Sequence, residues 1–231
     1  MPRRVGQSVI PLRDENPVAS APVVTWVLVG ACVLVFLWQV SAGAPHFNRV
    51  IFSLGVIPAS LFGHAQLPAE IAMVPPAATV LTSMFLHGGW MHLIGNMLYL
   101  WIFGDNIEDR LGRIRFLAFY LACGVAAVFA QALPAPEARV PMVGASGAIS
   151  GVLGAYLLLF PRARVLVLVP IGFILRVIRL PAVWVLGLWF AIQLISSLMA
   201  PSGEGGVAFR AHLGGFVAGL ALTPLFLPRR Q

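Results

Sequence analysis

Lysine is absent from this 231-residue chain, and all fifteen basic residues are arginine. That excludes a Ser–Lys dyad and Schiff-base chemistry on a lysine. Charge of either sign is scarce, at 10% of residues, where a soluble domain carries about 25%. With 59% hydrophobic residues and a mean hydropathy of +0.91, the chain cannot cover a water-facing surface, so it reads as a polytopic membrane protein. The three aspartates, Asp14, Asp105 and Asp109, lie in polar segments, which excludes a pair of intramembrane aspartates sharing a proton. No histidine is followed by glutamate, so there is no HExxH zinc helix, and neither a metal nor a cofactor is expected. The two cysteines, Cys32 and Cys123, each sit in an apolar run and read as small buried hydrophobes. The net charge of +7 is divided into short runs between apolar segments. It therefore reads as a set of topology signals and not as a nucleic-acid surface.

What is present is long, unbroken apolar sequence, which favours helices over the alternating strands of a membrane barrel. The expected fold is an all-α polytopic bundle of six transmembrane helices. The spans run roughly Pro22–Val40, Gly88–Phe103, Phe116–Leu133, Ser146–Phe160, Leu180–Met199 and Val207–Leu227. Each is near the roughly 20 residues that a bilayer core requires. Residues 1–20 are expected to be a cytoplasmic tail without a cleavable signal peptide, and residues 21–228 the membrane-embedded unit. The connection 41–80 carries little charge and is expected to lie partly in the interface. Val165–Leu175 is eleven apolar residues followed by Arg176 and Arg179. It is too short to span and is expected at the cytoplasmic interface. With the N-terminus inside, Arg49, Arg139 and Arg210 are external and the other arginines cytoplasmic, which gives an N-in, C-in topology.

Polar groups inside spans cost free energy, so each is a candidate for function. His92 and Asn96 are four residues apart and share a helix face. Ser146 opens the fourth span within Gly144-Ala145-Ser146-Gly147. His212 stands in Ala211-His212-Leu213-Gly214-Gly215. The second, fourth and sixth spans run in the same direction, which puts Ser146, His92 and His212 on the order of 10 Å below the outer surface. Gly147 with Gly151, and Gly215 with Gly219, form GxxxG pairs that allow two backbones to approach. A serine and a histidine on such helices make a nucleophile–base dyad plausible. Ser150 is a rival nucleophile on spacing alone, but Ser146 is preferred at the helix start, where backbone N–H groups are unsatisfied. Ala127, on the third span, is expected to lie away from the glycine contact.

These residues carry a family resemblance. The HxxxxHxxxN spacing of His87, His92 and Asn96, the GxSG of Gly144 to Gly147, the AHxxG beginning at Ala211, and the GxxxExxxG of Gly104, Glu108 and Gly112 occur in the order found in rhomboid intramembrane serine proteases. The chain resembles that family, in its bacterial type, over about residues 22–227. It departs at Ser150, where some members carry an aromatic that stacks on the histidine. The resemblance implies that residues 21–228 form a protease domain in the bacterial cell membrane. It implies hydrolysis, within or near the bilayer, of single-pass transmembrane proteins, with no cofactor, no metal and no nucleic-acid partner. Ser146 would be the nucleophile and His212 the general base. Asn96, His92 and the Ser146 N–H would form the oxyanion site, with Pro201–Gly206 as a lid. The alternatives are a catalytically silent relative that binds or dislocates membrane proteins, and a small transporter. The first usually lacks the serine or histidine, and the second predicts intramembrane carboxylates.

Overall fold

The computed structural model describes residues 10–171, 174–199 and 208–228. The segment expected to act as a lid, Pro201–Gly206, lies outside the described residues, as do Arg3, Arg4, Arg229 and Arg230. Six long helices carry the fold: α1 (Val23–Val40), α5 (Trp90–Leu111), α6 (Arg113–Ala132), α7 (Ser146–Leu159), α8 (Ala182–Met199) and α9 (Phe209–Phe226). Between α1 and α5 run three short helices, α2 (Gly43–Leu54), α3 (Pro58–Leu61) and α4 (Pro76–Thr82), and a 3₁₀ turn at Ser83–Phe85. Helices α1, α6, α8 and α9 are each long and apolar enough to cross a bilayer. Helix α5 is 22 residues with its charges confined to its C-terminal third, and α7 is 14 residues and apolar. The chain is a polytopic helical membrane protein.

To this bundle the structure adds a small antiparallel sheet, which helical periodicity does not reveal. Strand β2 (Arg164–Ile171) pairs with β3 (Ile174–Pro181) from Arg164↔Pro181 to Ile171↔Ile174, and β1 (Ile10–Asp14) lies along the other edge of β2. The short apolar run Val165–Leu175 is therefore part of a hairpin. Its β-branched alternation explains this, since Val165 and Val167 turn into the core while Arg176 and Arg179 follow on the return strand. Residues 10–14, expected to belong to the tail, are held in the sheet. Tyr156 Oη and Asn106 Nδ2 donate to Asp14 Oδ2 at 2.5 and 3.0 Å. These bonds tie β1 to α7 and α5, and Arg179 pairs with Glu15 at 2.9 Å.

The GxxxExxxG stretch has a physical reason. Glu108 is 1% exposed and accepts from the N–H groups of Val24 and Thr25 and from Thr25 Oγ1, at 2.9, 2.7 and 2.9 Å. One carboxylate thus satisfies two of the orphan donors at the start of α1, where the preceding Pro22 offers no side-chain cap. Gly104, one turn earlier, leaves room for Thr25, whose atoms lie 3.1–3.2 Å from where a Cβ would stand. Gly112 turns the chain between α5 and α6 at φ +80°. Asp109 accepts from the Ala19 and Ser20 N–H groups and fixes the entry to α1.

Glu108→Ala should lower the stability of the detergent-solubilised protein by about 2 kcal/mol, the upper range for loss of a helix cap. Glu108→Gln, which keeps an acceptor, should lose less. The check is the apparent unfolding midpoint of each variant.

Asp14 supplies a pH dependence. Burial is the main cause that raises its carboxyl from 3.8 to about 6, with the nearby Asp105 adding to it and the Tyr156 hydrogen bond opposing it. The folded state therefore holds the proton more tightly than the unfolded chain. Its contribution to stability is fully present below about pH 4 and is lost as pH rises through about 6. Asp14→Asn should flatten the unfolding midpoint across that window. An unchanged pH profile in the variant would show that Asp14 does not titrate there.

Candidate active site

Ser146 is the first residue of α7 and His212 lies in the first turn of α9. Their side chains meet, with His212 Nε2 2.8 Å from Ser146 Oγ. The approach depends on α7 and α9 packing backbone to backbone. A Cβ on Gly215 would overlap the Gly147 carbonyl, and one on Gly219 would overlap Gly151. Both GxxxG pairs therefore face each other. Helix α6 fills the third side, and here the structure corrects the expectation for Ala127. Ala127 is 2% exposed and occupies the space that a Cβ on Gly147 would need. It belongs to the contact, because the small-residue face of α7 is wide enough to seat two neighbours.

Ser150, one turn into α7, is buried and donates to the Ser146 carbonyl at 2.6 Å. It back-bonds to its own helix and faces no histidine nitrogen.

The His92–Asn96 pair lies across from Ser146. The Gly88 N–H donates to His92 Nδ1 at 3.2 Å, so the neutral ring carries its proton on Nε2. That nitrogen faces Gly144. The point where a Gly144 Cβ would sit is 2.8 Å from His92 Nε2 and 3.5 Å from Ser146 Oγ. Gly144 holds this space open at φ +127°, with its N–H bound to the Ser83 carbonyl at 2.9 Å. Asn96 is 8% exposed, and its Nδ2 donates to no group among the described residues. The first turn of α7 adds backbone N–H groups without intrahelical partners. A hydroxyl, an imidazole and several donors therefore converge on one small space, an arrangement suited to nucleophilic chemistry.

His87 stands outside that space. Its ring is fully buried, edge-on to His92 at 5.3 Å and to Phe36 at 6.5 Å. Its backbone N–H and carbonyl are both taken by the Gln39 amide, at 3.0 and 3.2 Å. It is a packing residue that backs His92.

Two residues that motif reading passes over also reach the site. Gln193 Oε1, on α8, is 2.7 Å from His212 Nδ1. The Trp189 ring, one turn earlier, lies 6.0 Å from the imidazole at 36°. The aromatic absent at Ser150 is thus supplied by another helix. The signal was available, because Gln193 is the one amide in a span whose other residues are apolar apart from Ser196 and Ser197. Gln131 on α6 likewise accepts from the Ala211 N–H at 3.2 Å and seats the start of α9.

The sequence of the chain has known relatives. A Rhomboid domain model matches residues 76–229, two thirds of the sequence, and the chain belongs to the rhomboid family. Among curated relatives, "Rhomboid protein 1, mitochondrial" of Saccharomyces cerevisiae is 30% identical over 194 residues, covering 76% of this chain and 52% of that protein. "Rhomboid protease GluP" of Bacillus subtilis is 36% identical over 151 residues, 65% of this chain and 26% of GluP. The human "Presenilin-associated rhomboid-like protein, mitochondrial" is 32% identical over 144 residues, 61% of this chain and 34% of that protein. The chain spans about half the length of the yeast relative and less of the other two.

Gly215→Leu should force α7 and α9 apart, since the added side chain meets backbone and not a movable side chain. The expected outcome is a loss of at least 2 kcal/mol, in the range found for overpacked cores. Melting of the purified variant beside wild type in one detergent provides the check.

Proposed function

We propose that the protein is a serine endopeptidase that cleaves single-pass transmembrane proteins within or near the bilayer. The observation that carries this reading is the 2.8 Å contact between Ser146 Oγ and His212 Nε2 at the start of α7. The relative named rhomboid protease is in keeping with it.

In this reading Ser146 Oγ attacks the scissile carbonyl while its proton passes to His212 Nε2. The carbonyl oxygen, now an oxyanion, enters the space over Gly144. There it accepts from His92 Nε2–H, Asn96 Nδ2–H and the Ser146 N–H. The unpartnered Asn96 amide supports this role, because a buried donor without an acceptor is costly unless a ligand supplies one. His212 then gives its proton to the leaving amine, and a water repeats the sequence to release the acyl group. The base is part of a Ser–His pair with no carboxylate behind it among the described residues. A neutral amide stands there instead.

The proposed topology is six spans with both termini cytoplasmic, in a bacterial cell membrane. The arginine distribution supports the orientation. The hairpin at Arg164–Pro181 supports the span count by returning the chain to the same side between α7 and α8.

A catalytically silent rhomboid relative is the second reading, and it is separated from the first by chemistry. Ser146→Ala and His212→Ala should each abolish cleavage of a tagged single-pass substrate while leaving a folded protein. A fluorophosphonate should label Ser146 in the wild type. Asn96→Ala should lower turnover by about 100-fold, as for loss of one oxyanion donor. Full cleavage by Ser146→Ala, or no cleavage and no labelling by wild type across a substrate panel, would refute the protease reading.

A further inference from the structure

We infer that Gln193 is the positioning residue for His212, holding the imidazole in the tautomer that lets Nε2 accept the Ser146 proton; this rests on the protease reading above. A neutral imidazole carries one N–H, and the two nitrogens of His212 have different neighbours. Nε2 faces a hydroxyl at 2.8 Å, which can donate or accept. Nδ1 faces Gln193 Oε1 at 2.7 Å, and a carbonyl oxygen can accept but not donate. The pairing at Nδ1 therefore decides the tautomer. The proton resides on Nδ1, and the Nε2 lone pair is directed at Ser146 Oγ–H.

The surroundings of the ring suit this role. Trp189 and Gln193 are four residues apart, so both project from one face of α8 toward α9. Trp189 lies beside the imidazole, tilted from it by 36°, and Gln193 meets its Nδ1 edge. Phe190 and Phe216 pack at 4.7 Å and seat the two helices beside the ring. An amide also fits the location better than a carboxylate. The neighbouring side chains of α8 at Leu194, Ile195 and Leu198 are exposed apolar groups, so the helix faces lipid. A fixed negative charge at Gln193 would have to be desolvated there, whereas an amide accepts the same hydrogen bond without that cost.

The role differs from packing in what it changes. A positioning residue acts on the proton-transfer step, so its loss lowers kcat and leaves KM in place. Loss of packing would lower the amount of folded enzyme. The test uses the full-length protein in detergent, with one tagged single-pass substrate and a fluorophosphonate probe for Ser146. Gln193→Met removes the acceptor at similar volume. It should lower kcat, and the rate of probe labelling with it, by about 10- to 100-fold at unchanged KM, a smaller loss than the roughly 10,000-fold seen where a wrong tautomer is enforced. Gln193→Glu restores an acceptor of the same reach and should recover part of that loss, the remainder being the cost of desolvating a carboxylate there. Packing alone predicts the reverse order, because a buried carboxylate is tolerated less well than a thioether.

Wild-type kcat in Gln193→Met, or Gln193→Glu slower than Gln193→Met, overturns the inference. If Gln193→Met does not fold, the tautomer itself decides in the wild type. Nitrogen-15 NMR of labelled histidine should find the His212 proton on Nδ1, and a proton on Nε2 overturns the inference. The controls separate its failure from that of the protease reading. A wild type that labels and cleaves, with an inert His212→Ala and an unaffected Gln193→Met, refutes the role of Gln193 alone. A wild type that neither labels nor cleaves refutes both.

Discussion

The approach of α7 to α9 is the constraint on which the site depends. No Cβ fits between the two backbones at Gly215 or Gly219, so the helices meet through main-chain atoms. In lipid there is no hydrophobic drive to press helices together. Association rests instead on dispersion, on weak Cα–H···O contacts and on shape. Small residues supply the shape. They also fix the distance from Ser146 to His212, because both residues sit at the start of the helices that make the contact. The same face of α7 takes Ala127 and Cys123 from α6 against Gly147 and Gly151. Three helices are thereby held in one register around a hydroxyl and an imidazole.

Away from that seam, stability comes from a few carboxyl groups that bind backbone N–H groups or buried side-chain donors. Glu108 completes the first turn of α1, Asp109 holds the segment before it, and Asp14 fastens β1 to α5 and α7. Each carboxylate accepts two or more hydrogen bonds, which is the condition for burying a polar group at tolerable cost. They gather where α5 ends and α1 begins, at the end of the bundle opposite Ser146. The two ends therefore differ in construction. One is clamped by ionic groups, and the other is left with unpartnered donors at Asn96 and at the first turn of α7.

Much of this was legible in the sequence, for stated reasons. Long apolar runs give helices in a membrane, so the bounds of α1, α6, α7 and α9 follow hydropathy within a few residues. The placing of Ser146, His92 and His212 together followed from the direction of three spans and a rise of 1.5 Å per residue. The hairpin was not legible as strands, because eleven apolar residues suit an interfacial helix equally well. What decides is pairing with β1, a contact more than 140 residues distant in sequence. The place of Ala127 is not legible in the sequence, because a wheel drawn for one helix does not show how many neighbours that helix has. Gln193 belongs to no motif, although an amide in a lipid-facing helix is costly and so marks a position with a partner.

The loose seating of α8 has a kinetic meaning. Its buried residues, Ala182, Val185 and Leu186, all lie in its first turns. Beyond them it is held to α9 chiefly by aromatic contacts and by the Gln193–His212 bond. That bond joins a weakly anchored helix to a rigid one. Were the far half of α8 to lean away, Oε1 would leave Nδ1 and the imidazole would be free to turn or to exchange tautomers. In the proposed protease, the readiness of His212 would then follow the fraction of time α8 is seated. In the proposed protease, anything that parted α8 from α9 would take the Gln193 acceptor from His212 until the helix returned.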